Sequence, residues 1–134
     1  MKYKFLEHTG DIKFQAYGKT LNEVFENSVI AVSYYISRGK KIKSSKGKVI
    51  DVSGNDLESL FYNFLDELIY LIDADNFIVA KAKITARGNN LHAELFGDDT
   101  SNYKDLDQIK AATYAEMYIK KTAAGWEAQA VLDV

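Results

Sequence analysis

Cysteine is absent from the chain. That removes disulfides, thiolate nucleophiles and every cysteine-held zinc or iron–sulfur site at once. Histidine is scarce: His8 and His92 are the only two, too few for a multi-histidine transition-metal centre. A bound metal should therefore be held by oxygens, the donor set that favours calcium, magnesium or manganese. No apolar run approaches the roughly 18 residues of a membrane span, and the opening MKYKFLEHTGD has no apolar signal core. These absences point to the cytoplasm and away from any membrane. Strong charge of one sign is lacking as well. With a formal net charge of −2 there is no global attraction to nucleic acid, so any RNA contact must be local, weak or indirect. GxGxxG, GxxxxGK[ST] and GxSxG are all missing, which leaves phosphate loops and the hydrolase elbow without support.

What remains is an ordinary globular composition. The chain has 134 residues, 47% hydrophobic and 27% charged, which fits one domain spanning 1–134 around one core. Residues 2–7 and 12–17 alternate on either side of the polar turn His8-Thr9-Gly10-Asp11 and read as strands. From Leu21 to Ile36 the apolar residues recur at three- and four-residue steps, which predicts a helix at about 21–37. Thr20 and Glu23 match a capping box at its start. A basic loop follows at 38–48 with six Lys or Arg and no acid, then a short strand at 49–52. The most apolar segment predicts a second helix at about 56–72, ended by Asp73-Ala74-Asp75-Asn76. That tetrapeptide opens like a calcium loop but lacks the later glycine and glutamate, so it reads as a helix terminus.

Beyond it the period changes to two. Residues 77–87 and 91–96 read as a hairpin, 97–107 as an acidic loop, and 109–121 with 126–133 as a second hairpin. The expected architecture is α+β: two helices packed on one face of a mainly antiparallel sheet.

Three segments stand apart as candidate chemistry: HTGDI at 8–12, QIKAATY at 108–114 and GWEAQAVLDV at 125–134. Singly, each has an ordinary explanation. A turn aspartate usually bonds its own backbone, a histidine at a strand end is usually packed, and Lys110 alone reads as a solvated lysine. Together, and in order, they resemble the archease family, which carries a HTADI-like turn, an AYG-x-x-L-x-E-x-F helix start, an IKA-x-TY segment and a tryptophan-containing last strand ending in leucine-aspartate and one apolar residue. The helix start is matched by Ala16-Tyr17-Gly18, Leu21, Glu23 and Phe25, and the family's second-helix ending by Phe64-Leu65-Asp66-Glu67-Leu68-Ile69-Tyr70. The match spans nearly the whole chain.

The resemblance implies a small α+β accessory protein of the GTP-dependent tRNA-splicing RNA ligase, promoting its guanylylation and multiple turnover. It also implies a link, chaperone-like, to tRNA methyltransferases. By the same resemblance Asp11, Asp133 and the terminal carboxylate of Val134 form a cation site, and Lys110 contacts the partner or a phosphate. His8 is expected as a supporting neighbour. Chemistry is consistent with that set: three carboxylates drawn together repel, and a divalent cation, calcium ahead of magnesium, relieves the repulsion. Two departures stand out, Asn102-Tyr103 where the family commonly has Arg-His and Ala115 where it commonly has histidine. A metal-independent adaptor for RNA-modifying enzymes and a small metal-dependent hydrolase are the competing expectations. The hydrolase has carboxylates but no evident nucleophile or tuned base. The basic loop 38–48 reads as a solvated loop or as a contact to RNA or ligase.

Overall fold

The alternating residues that open the chain form β1 (Tyr3–Leu6) and β2 (Asp11–Gly18), which pair antiparallel. The computed structural model describes all of residues 1–134. It continues with α1 (Leu21–Ser37), β3 (Lys46–Ser53), α2 (Leu57–Asp75), β4 (Phe77–Arg87), β5 (Asn90–Asp99), a 3-10 turn (Thr100–Asn102), β6 (Ala111–Thr122) and β7 (Gly125–Asp133). The α+β class and the element order are those expected from the periodicities.

The strands divide between two antiparallel sheets, ordered β1-β2-β7-β6 and β3-β5-β4, where the sequence pattern suggested one. Alternation marks a strand and its inward face but not its partner, which is why the division is not visible in the pattern. The helices hold the two sheets together: α1 packs on β2 and β4, and α2 on β6, β4 and β3. One edge of the second sheet closes onto α1 instead of onto another strand. The Ile84 amide donates to the Glu26 carboxylate at 2.9 Å and the Ala86 amide to the Asn22 side-chain carbonyl at 2.8 Å. These two acceptors occupy donors that a neighbouring strand would otherwise use.

Helix ends differ from the expected bounds in explicable ways. Thr20 caps α1 by accepting the Glu23 amide at 3.2 Å, but the Glu23 carboxylate reaches back to the Lys19 amide at 2.8 Å, one residue before the cap. The reciprocal capping box belongs to α2, between Asp56 and Ser59. That helix runs on through Asp73 to Asp75 and stops at Asn76, whose φ of +51° ends the helical path. Between the helices the core is aromatic: Phe25 meets Phe61 at 5.8 Å and Phe64 at 5.6 Å between ring centres, both edge-on. No helix is long and apolar enough to cross a membrane.

Candidate functional site

Alternation decides which side chains leave the core of the first sheet. On β2, Phe14 and Ala16 are fully buried, which turns Asp11, Lys13, Gln15 and Tyr17 to the other face. On β7, Ala128, Ala130 and Leu132 are buried inward, which turns Glu127, Gln129, Val131 and Asp133 to the opposite face, where Gln129 and Val131 are themselves buried. The register then sets Asp11 directly opposite Asp133. Opposed residues of an antiparallel pair share a face with Cβ atoms about 4.5–5.5 Å apart, and like charges placed so repel. On its other side Asp133 faces Ala111 of β6, and its carbonyl accepts the Lys110 amide at 2.8 Å. The HTGDI turn, the IKA segment and the end of the last strand therefore meet at one end of one sheet. Val134 is half-buried against the core beside them, and the Lys110 side chain is exposed.

A further participant, Glu116, was not visible as a candidate in the sequence. The β6–β7 register shifts between Thr113 and Tyr118, so that β6 carries three extra residues there. This bulge puts Glu116 at a φ of +54°, unusual for a residue with a side chain. From it the Glu116 carboxylate crosses the sheet face to His8 Nε2 at 2.9 Å and Lys13 Nζ at 3.0 Å. Lys13 first, and then His8, hold the Glu116 carboxyl below its ordinary range. Gln129 supports the bulge by donating to the Glu116 backbone carbonyl at 2.7 Å, and Tyr114 flanks it by stacking on Tyr62 of α2 with ring centres 4.2 Å apart. One signal was present: the inward residues Ala112, Met117 and Ile119 break strict alternation, which only an irregular strand allows.

The donor set fits a cation in part. His8 Nδ1 is buried without a hydrogen-bond partner and lies 3.6 Å from Asp11 Oδ2. Asp11 and Asp133 face each other with no lysine or arginine bridged to either. No three His, Asp or Glu side chains gather closely enough to cage an ion. A backbone or terminal oxygen would have to complete the set.

Nearly the whole chain matches a family model: residues 3–134 fit the Archease protein family. The chain belongs to the archease family. Among relatives, the archease of Methanosarcina barkeri is 40% identical over 140 residues, covering 99% of this chain and 96% of that one. The archease of Pyrococcus abyssi is 35% identical, covering 99% of each. The solution structure of protein 1598 from Methanobacterium thermoautotrophicum matches with a TM-score of 0.81 at 26% identity, covering 99% of both chains. A Thermotoga maritima protein, described as an archease and possible chaperone, shares the fold with a TM-score of 0.65 at 19% identity.

One departure from the archease pattern has a structural use. Asn102 and Tyr103 both donate to Asp98, which is buried at 4% exposure. Its Oδ2 accepts the Tyr103 hydroxyl at 2.8 Å, and its Oδ1 accepts Ser45 at 2.8 Å, the Asp99 amide at 2.8 Å and Asn102 at 3.1 Å. Tyr103 also accepts the Lys43 amide at 2.8 Å. The expected acidic and basic loops are thereby clasped together. Arg38 with Asp107 and Lys46 with Asp99 add exposed pairs, and Lys48 with Asp75 ties β3 to the end of α2. Much of the basic charge at 38–48 is therefore spent within the protein.

The Ser45 and Tyr103 hydroxyls and the Asp99 amide lower the Asp98 carboxyl to about 2. A carboxyl depressed on folding contributes stability above its unfolded pKa of about 4, and that contribution is lost as pH falls through the folded value. Asp98→Asn should therefore melt below wild type at pH 7, with the gap closing between about pH 4 and pH 2. Thermal melts at pH 7, 4 and 2.5 check this, and a gap independent of pH contradicts it.

Proposed function

We propose that this protein is a non-catalytic accessory protein that activates a GTP-dependent tRNA-splicing RNA ligase in the cytoplasm, promoting its guanylylation and repeated turnover. Asp11, Asp133 and the terminal carboxylate of Val134 would hold one divalent cation, with calcium ahead of magnesium for an all-oxygen carboxylate set. The observation that carries this reading is the direct opposition of Asp11 and Asp133, with the IKA segment bonded to the same Asp133. Two like charges on one face are unfavourable unless something positive is meant to sit there. A divalent cation at that point would relieve the repulsion and offer unfilled coordination positions to phosphate or carboxylate oxygens of the ligase. Lys110, exposed beside Asp133, would hold a phosphate or partner carboxylate as a point charge.

A second reading, that of a chaperone or adaptor for tRNA-modifying methyltransferases acting without metal, draws on the description of the Thermotoga maritima relative as a possible chaperone. The two readings part on Asp11 and Asp133, to whose loss an adaptor would be indifferent.

The test is a multiple-turnover ligation assay with the cognate ligase, run with and without this protein. Stimulation is expected, and its absence at saturating protein counts against the activator reading. In the same assay Lys110→Ala should keep the wild-type melting temperature and lose about tenfold of the stimulation, the scale of one charge-assisted phosphate contact. Full stimulation by the folded variant would remove Lys110 from the partner surface.

A further inference from the structure

At the far end of the two strands that oppose Asp11 and Asp133, about 20 Å away, Gly18 of β2 faces Trp126 of β7. Trp126 shares its parity with the buried Ala128 and Ala130, which turns its ring to the helix side of the sheet. It is only half-buried there, and Gly18 opposite has no side chain to cover it. The AYG helix start and the last-strand tryptophan, which the cation site leaves unused, therefore meet. They border a cavity of about 540 Å³ lined also by α1 and β4, within the range of about 300–1,000 Å³ usual for small-molecule sites.

The walls of this cleft are fixed in place. The Tyr17 amide donates to the Lys2 carbonyl at 2.9 Å, which ties the N-terminus to β2. Asn27 of α1 donates to the Tyr17 carbonyl at 2.6 Å. A Cβ on Gly125 would stand 2.4 Å from the Gly18 carbonyl oxygen, so the β6–β7 turn lies directly against the end of β2. A cleft formed before its ligand arrives loses little ordering entropy on binding.

Three kinds of chemistry line it. Trp126, with Ile30 and Ala82, offers an apolar surface on which a flat ring can stack. Lys2, Lys19 and Lys81 bring three ammonium groups, none of them in an ion pair. Lys81 has only a distant aromatic contact, 5.9 Å from the centre of the Phe96 ring. Glu23 and Glu26 bring carboxylates, each with one oxygen held by a backbone amide, of Lys19 and Ile84 respectively, and the other oxygen free to accept. A bare anion would use the cations and be repelled by the carboxylates. A plain aromatic molecule would use only the ring. A nucleoside phosphate uses all three, with its base on the indole, its ribose hydroxyls donating to a carboxylate and its phosphate oxygens on the ammonium groups.

We propose that the cleft between Trp126, the start of α1 and β4 binds a mononucleotide, at a site separate from the cation site and independent of it. Trp126 is the only tryptophan in the chain, so its fluorescence reports on this cleft alone. The full-length protein, kept in chelator to exclude metal-bridged binding, is titrated with ATP, GTP, adenosine, tripolyphosphate and a short single-stranded RNA, with calorimetry to count sites. A triphosphate should quench Trp126 saturably, one per chain, with a midpoint below about 1 mM. Adenosine and tripolyphosphate each lack one part and should bind at least about tenfold more weakly. Lys19→Ala and Lys81→Ala, both at exposed side chains, should melt as wild type and each weaken the triphosphate about tenfold. The Asp11→Ala, Asp133→Ala double variant should bind it as wild type does. The absence of quenching and heat with both triphosphates overturns the proposal. So does tripolyphosphate binding as tightly as ATP, RNA binding where the triphosphates do not, or unchanged affinity in a Lys19→Ala, Lys81→Ala double variant.

Discussion

A version of the protein extended by two glycines after Val134 should melt at the wild-type temperature and yet bind calcium at least about a hundredfold more weakly. Extension converts the proposed terminal carboxylate ligand into a neutral amide and places chain where the ion would sit. Loss of a single outer-shell partner already costs about 10–100-fold in metal affinity, so loss of a charged ligand should cost no less. The fold should be indifferent. Ala128, Ala130 and Leu132 are fully buried whatever follows Asp133, and tags at strand ends are ordinarily tolerated. Ligase stimulation should fall in step with calcium affinity. An equal extension before Met1, which is 91% exposed, should change neither. Unchanged calcium affinity in the C-terminally extended protein would show that the carboxylate of Val134 is not a ligand.

Phe64→Ala should destabilise the protein by about 3–5 kcal/mol. Phe64 is fully buried on α2 and meets Phe25 of α1 edge-on at 5.6 Å, at a point where the two helices join the sheets. Truncation removes that aromatic contact and leaves a cavity that two helices and two sheets cannot collapse to fill. For a domain of this size the melting temperature should drop by about 10–20 °C. Since a whole domain is held by only about 5–15 kcal/mol, the variant would be marginal. Phe64→Leu, which keeps much of the volume, should lose clearly less. Denaturant unfolding of the three proteins measures the differences, and a Phe64→Ala loss below about 1 kcal/mol would mean the core is not organised around these rings.

The parts of this molecule that follow local rules were legible in its sequence. The 3.6-residue recurrence from Leu21 gave α1 to the residue, and the run around Phe61 to Leu68 gave α2 apart from its last turn, where Asp73 to Asp75 stay helical until Asn76 takes a positive φ. The meeting of the HTGDI turn with the end of the last strand was implied by the resemblance to archease, and the register that sets Asp11 opposite Asp133 comes from the structure. Three features were not legible. The division into two sheets depends on which strand β4 meets, and Asn22 and Glu26 of α1 settle that by taking its edge amides. Lys46 and Lys48 looked like loop because of their charge, but they lie in β3 and pair with Asp99 and Asp75. Glu116 was read as one residue of a regular strand. Its role comes from a bulge whose only trace in the sequence is the shifted parity of Ala112 and Met117, and local propensity cannot say where the freed side chain will go.

Asp11 and Asp133, opposed across β2 and β7, are the centre of the proposed cation site. Isothermal titration of calcium, and then magnesium, into chelator-treated protein tests that site without any partner or assay. Wild type should take up one ion per chain, and the Asp11→Ala, Asp133→Ala double variant should remain folded and take up none. Equal binding by the two proteins would contradict the account.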